Sequence, residues 1–179
     1  GTLTYDGQSH AVTGVGYHDH NWGNVPLPAI LDHWTWGRAH LGEYTLIFVE
    51  QVAVRRYGSL RLPVFLLARG GQVLADDARC LRMQERETVA HPGGHTYPQQ
   101  VDFIYELGEE QVLVKLRQPQ LIEATSLLGA LPPWQRPLAR LFANPWYFRF
   151  NAALDLTIAL KDVRDHLQGR ALYELMLLR

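Results

Sequence analysis

The strongest constraint on this chain is a hydrophobic period of two residues that returns in segment after segment. Residues 44–55 carry it most clearly: Tyr44, Leu46, Phe48, Glu50, Val52 and Val54 alternate with Thr45, Ile47, Val49, Gln51 and Ala53. Successive side chains of an extended backbone point to opposite faces, so both faces of this segment are largely apolar and it is expected to be a central strand. Similar short segments are predicted at 3–12 with a turn at Asp6-Gly7, at 33–40, and at 64–68 and 72–75 joined across Arg69-Gly70-Gly71. Others follow at 80–89, 100–107, 111–118, 120–127, 146–160 and, after a turn at Gly169, 171–178. About ten short strands at roughly 8 to 12 residue spacing, with turn signals between them, predict an all-β antiparallel barrel or sandwich. Three prolines, Pro132, Pro133 and Pro137, interrupt the pattern, and a short helix near 137–143 is expected there, placed to cap an open barrel end. The 179 residues fit one domain, 1–179.

Composition removes several function classes. Apolar residues are 47% and charged residues 20%, close to ordinary globular proteins, which argues against disorder and fibrous folds. A formal net charge of -1 supplies no field to recruit a polyanion, so no nucleic acid partner is expected. The single cysteine, Cys80, excludes an internal disulfide framework and fits a reducing, cytoplasmic setting; it reads as a small half-buried apolar residue. No apolar run reaches the roughly 18 to 20 residues that span a bilayer. The opening Gly1-Thr2-Leu3-Thr4-Tyr5 lacks a signal-peptide pattern, and a start at Gly is expected for a fragment or a processed product.

Chemistry concentrates between Gly14 and His40. These 27 residues hold four of the eight histidines and three of the five tryptophans. Aromatic walls with a few titratable groups among them are the composition of a small-molecule pocket. If residues 17–22 continue as a strand, Tyr17, Asp19 and Asn21 share one face while His18, His20 and Trp22 share the other. His18 and His20 are then either a ligand pair for a metal, with Glu50, His33 or Glu123 as distant further candidates, or imidazoles hydrogen-bonded beneath the sheet. No spacing nominates a third ligand, and no metal or other cofactor is expected.

Asp19, flanked by Tyr17, Trp22 and Trp34 or Trp36, would be desolvated, which favours the neutral acid. Such an acid delivers a proton to an alkene or carbonyl while aromatic faces stabilise a developing cation. The alternative is a buried aspartate paired with Arg38 or capping a turn. Arg38 either orients a substrate or balances Asp19 or Glu50. Trp34 and Trp36 are either core or ligand platform, and Tyr147, Arg149 and Asn151 share a second aromatic strand face that either lines the pocket or packs outside it.

Gly16-Tyr17-His18-Asp19-His20-Asn21-Trp22-Gly23, Trp34-Thr35-Trp36-Gly37-Arg38-Ala39, Pro145-Trp146-Tyr147-Phe148-Arg149-Phe150 and Ala171-Leu172-Tyr173-Glu174-Leu175 together resemble the carotenoid 1,2-hydratase (hydroxyneurosporene synthase) and AttH-like superfamily, which includes lipocalin-like pericyclases. The resemblance implies a lipocalin or calycin-type antiparallel β-barrel, no metal, and an apolar polyene or terpenoid substrate. By the Gly-Tyr-x-Asp match, Tyr17 and Asp19 carry over as catalytic residues, with His18 and His20 beside them. Trp22, Trp34, Trp36, Arg38, Glu50, Tyr147, Arg149 and Asn151 then line the substrate pocket. Hydration, isomerisation and cyclisation are all within the family's reach, and a lipid or pigment carrier without turnover is the alternative. Family members pair two barrel-like domains, and these motifs open the second. A preceding barrel domain or a homodimer partner is therefore expected to complete the pocket.

Overall fold

Alternating segments pair with their chain neighbours into one long antiparallel meander. The structure, a computed structural model, describes residues 1–130, 132–140 and 143–179. Strands β1 (Thr2–Tyr5) and β2 (Gln8–Ala11) form an exposed hairpin of their own. The remaining strands are β3 (Leu31–Leu41), β4 (Tyr44–Ala53), β5 (Arg61–Arg69), β6 (Gln72–Ala75), β7 (Leu81–Ala90), β8 (Thr96–Leu107), β9 (Glu110–Ser126), β10 (Trp146–Ala159) and β11 (Arg164–Leu177). They join in the order β6-β5-β4-β3-β11-β10-β9-β8-β7, so the last strand of the meander returns to pair with β3. The expected all-β antiparallel, lipocalin-like architecture is present.

Curling of this sheet puts one face inside. Phe48, Phe103, Phe148 and Phe150 are fully buried, and Tyr173 is 1% exposed. Phe48 of β4 meets Phe103 of β8 at 4.5 Å between ring centroids, although four strands lie between them in the sheet. Opposite walls therefore touch through their aromatic side chains. No ladder joins β5 to β7 among the described residues, and Glu50 helps bridge that seam. Its carboxylate, 3% exposed, accepts from the Arg61 side chain of β5, and Met83 of β7 lines the same recess.

Burial pushes the Glu50 carboxyl above its ordinary value, against the opposing pull of Arg61. A raised carboxyl means that the folded chain holds its proton longer than the unfolded one. The contribution to stability is therefore greatest below the ordinary carboxyl range and is lost as pH rises through the folded value. Glu50→Gln does not titrate, so it is expected to gain on the parent as pH rises from about 4 to about 8. Urea midpoints at both ends check this, and a difference that stays constant with pH would contradict it.

Several sequence expectations need correction. Residues 17–22 are not a strand: nothing pairs with them, Pro26 and Pro28 follow closely, and residues 12–26 run without regular structure over the outside of the sheet. Gly169 is not a turn but lies inside β11, because a Cβ there would stand 2.3 Å from Leu41 Cδ2; the turn falls at residues 160–163. The segments expected at 111–118 and 120–127 are one strand, β9, which passes Pro119 through an irregularity at Gln118, where φ is +49°. The short helix is α1 (Arg136–Arg140), and residues 141–142 of the expected span lie outside the described residues. No described helix is long and apolar enough to cross a membrane.

Candidate active site

β3 alternates large and small side chains, and that alternation divides its work. Thr35, Gly37 and Ala39 turn inward and are buried, whereas Trp34, Trp36 and Arg38 turn outward. A Cβ on Gly37 would stand 2.2 Å from the Phe48 ring and 2.9 Å from Tyr173 Cβ, so the absent side chain lets the interior rings close beneath the outward pair. The outward face of β3 continues across β4 and β5 as Ile47, Val49, Gln51, Val64 and Leu66, and across β11 and β10 as Leu172, Glu174 and Arg149. The result is an open cavity of about 1310 Å³ on the outside of the barrel. The barrel interior is filled largely by its own rings.

Residues 12–26 supply the cavity's remaining wall. Tyr17 lies on Trp36 with ring centroids 5.3 Å apart, and the Arg38 guanidinium sits 5.5 Å from the Tyr17 ring centre. The Tyr17 hydroxyl donates to Asp19 Oδ2 at 3.1 Å. Burial and that hydrogen bond push the Tyr17 phenol upward, opposed by the Trp36 indole and the Arg38 charge. Tyr17, Asp19, Asn21 and Trp22 all line the cavity. Asp19 is exposed, so this chain alone does not supply the burial that the sequence reading asks of it. Arg38 stacks on Tyr17 and makes no ion pair with Asp19 or Glu50 among the described residues.

A second polar group borders the cavity where β3, β11 and β10 meet. Trp36 stands directly across from Glu174, and Glu174 from Arg149. Glu174 accepts from the Tyr147 hydroxyl and from Arg149 Nε at 3.2 Å, while Arg149 Nε also donates to the Tyr147 hydroxyl at 2.8 Å. Burial, then the Glu174 hydrogen bond, drives the Tyr147 phenol well above its ordinary value, so it remains a donor.

Not every predicted residue arrives here. Glu50 is on the opposite, inward face of β4, because the two-residue period sends it with Phe48 toward the core. Asn151 is engaged outside the cavity, accepting from Arg170 Nε at 2.7 Å. His18 and His20 are exposed and do not line the cavity; His20 stacks on Trp22 with centroids 6.1 Å apart. Among the described residues no three His, Cys, Asp or Glu side chains lie close enough to hold a metal. Glu174 and Gln51 line the cavity and were missed. The signal for both was available, since each is a polar residue between apolar neighbours on its outward face, Gln51 between Val49 and Ala53 and Glu174 between Leu172 and Met176.

Comparison with known proteins gives one family and a set of distant relatives. A family model described as carotenoid hydratase CrtC matches residues 2–100. The acyclic carotenoid 1,2-hydratase of Cereibacter sphaeroides is 39% identical over 101 residues, covering 52% of this chain and 35% of that protein. The quinolone epoxide rearrangement protein asqO of Emericella nidulans is 28% identical over 106 residues, covering 57% of this chain and 28% of that protein. Kievitone hydratase from Nectria haematococca has a similar fold, with TM-score 0.56 at 16% identity over 87% of this chain and 42% of that one. CghA with Sch210972 gives TM-score 0.52 at 15% identity, over 85% of this chain and 42% of that one. The chain thus spans less than half the length of each relative.

Proposed function

The chain belongs to the carotenoid hydratase CrtC family, and on that premise we propose that it acts on an apolar, unsaturated isoprenoid or related natural product held in the outer cavity. The observation that carries this reading is the pairing of a hydrogen-bonded Tyr17 and Asp19 with the Trp36 and Arg38 face across one open aromatic space. Asp19 gives its proton to one carbon of a double bond. The cation left on the other carbon lies against Trp36 and Tyr17, whose π faces stabilise it. Hydration follows when water bonds to that carbon and its released proton returns to Asp19; loss of a neighbouring proton gives isomerisation, and attack by a second double bond gives a ring. His18 and His20 adjoin Asp19 in sequence and act as orienting residues on the same segment.

The cavity is completed by a second body, which we propose is a preceding barrel domain of the same protein. Large apolar side chains at the rim support this: Trp22 is 87% exposed, Leu60 59% and Tyr57 47%. The share of each relative left uncovered by this chain is large enough for such a domain. Covering the rim would take Asp19 out of water.

Asp19→Asn is expected to lower kcat by about 100-fold or more on a polyene or terpenoid substrate while leaving its affinity nearly unchanged, as removal of a general acid does. Single-turnover rates with product analysis check this. Turnover unchanged in the variant would remove Asp19 from the chemistry. Tight binding with no product in the parent would make the protein a carrier.

A further inference from the structure

Arg38 stands in a row of side chains that gives it nothing to pair with. Leu66 of β5, Ile47 of β4, Arg38 of β3 and Leu172 of β11 follow one another directly across the register, and all four line the outer cavity. The half-buried guanidinium therefore has an apolar side chain on either flank. Tyr17 lies along it, with the ring centre 5.5 Å away, and Arg38 makes no hydrogen bond or ion pair among the described residues.

The other charged residues lining the cavity are matched within the protein. Asp19 accepts from the Tyr17 hydroxyl at 3.1 Å. Glu174 accepts from Tyr147 and Arg149, and the Arg149 guanidinium also faces Glu123 at 3.6 Å. A guanidinium carries five N–H donors in a rigid fork and does not give up its proton in proteins. Set in an apolar row and open to a cavity of about 1310 Å³, Arg38 presents those donors to whatever fills the space.

We propose that the occupant of the outer cavity is an unsaturated isoprenoid with a carboxylate head, which Arg38 receives as a two-pronged ion pair while the hydrocarbon lies along Trp36, Ile47 and Leu172. The assignment rests on the use of the cavity proposed above and adds the head group to it. Shape and charge select a carboxylate. A planar monoanion with two oxygens matches the fork and neutralises one cation. A diphosphate would bring more than one negative charge to a single unpaired cation, with Asp19 and Glu174 on the same wall. A plain hydrocarbon would take the guanidinium out of water and give nothing back. Arg38 and Asp19 also meet the same tyrosine, one through its ring and the other through its hydroxyl. A head held at Arg38 thereby sets how far along the chain the double bond facing Asp19 lies.

Farnesoate, farnesol and farnesyl diphosphate share one unsaturated tail and differ in the head, so titrating each calorimetrically into the protein tests the assignment. Farnesoate is expected to bind about tenfold tighter or more than either of the others, as a charge-assisted pair allows. Arg38→Gln should weaken farnesoate by about the same factor and leave farnesol nearly unchanged. Arg38→Lys keeps the charge without the fork and should fall between the parent and the glutamine variant. Farnesol or farnesyl diphosphate binding as tightly as farnesoate would overturn the carboxylate. So would equal weakening of farnesoate and farnesol by Arg38→Gln, which would make Arg38 a support for Tyr17 alone. Those outcomes leave the cavity's proposed use standing, whereas binding of none of the three would remove both.

Discussion

Phe150→Ala is expected to cost about 4 kcal/mol of stability, near the centre of the range for removing a buried aromatic ring. Phe150 is fully buried, stacks on Tyr173 at 4.7 Å and Tyr97 at 5.0 Å, and continues along β10 to Phe148 at 6.2 Å. It therefore connects β8, β10 and β11 from the inside, and strands held by their ladders cannot collapse far into the space it leaves. For a chain of this size each kcal/mol lowers Tm by about 2–4 °C, so a drop on the order of 10 °C should appear in calorimetry, with a matching shift in the urea midpoint. A loss under about 1.5 kcal/mol would mean that the walls close over the gap and that the interior is less tightly filled than the ring contacts imply.

Gly37→Val should cost about 3 kcal/mol and should also damage the outer cavity, which Phe150→Ala should not. The new side chain would enter the space of the Phe48 ring, 2.2 Å from the site of its Cβ, with the Tyr173 Cβ at 2.9 Å on the other side. Overpacking of a close-packed core typically costs about 1–3 kcal/mol, and a fully buried ring wedged between strands has little room to turn away. β3 is therefore pushed outward at the position between Trp36 and Arg38. Substrate affinity should fall by about tenfold or more even at temperatures where the variant is fully folded. Gly37→Ala should show the same two effects, smaller. A folded Gly37→Val with parental substrate affinity would show that the outward pair is positioned independently of the rings beneath it.

Much of the fold was legible because period-two alternation is a physical consequence of a pleated strand with two unlike faces. β3, β4 and β10 follow it closely, and the grouping of Trp34, Trp36 and Arg38 on one face came directly from it. Alternation says nothing, however, about whether a partner strand exists. Tyr17, Asp19 and Asn21 alternate as a strand would, yet their segment is held by Trp36 and Arg38 through side chains rather than by a ladder. Nor does alternation say which face is inside when both are apolar, and for that reason Glu50 could be read as a neighbour of Arg38 while lying behind it. Gly169 reads as a turn because a glycine in a strand looks like punctuation, whereas the Leu41 side chain that occupies its missing Cβ is 128 residues away in sequence. Glu174 belongs to the cavity only through its cross-strand neighbours Trp36 and Arg149, contacts that depend on register.

The separation of Asp19 from the sheet has a consequence for rate. Its counterparts across the cavity, Trp36, Arg38 and Glu174, stand on strands locked by continuous ladders, whereas Asp19 rides on a segment whose Tyr17 ring rests on Trp36 and Arg38, and its own 3.1 Å hydrogen bond is to that tyrosine, two residues away. The effective molarity of a proton donor falls steeply when its angular freedom grows, and well-fixed groups reach about 10⁵–10⁸ M. On the proposed mechanism, a body closing over residues 12–26 would accelerate the reaction by fixing this one carboxyl in place.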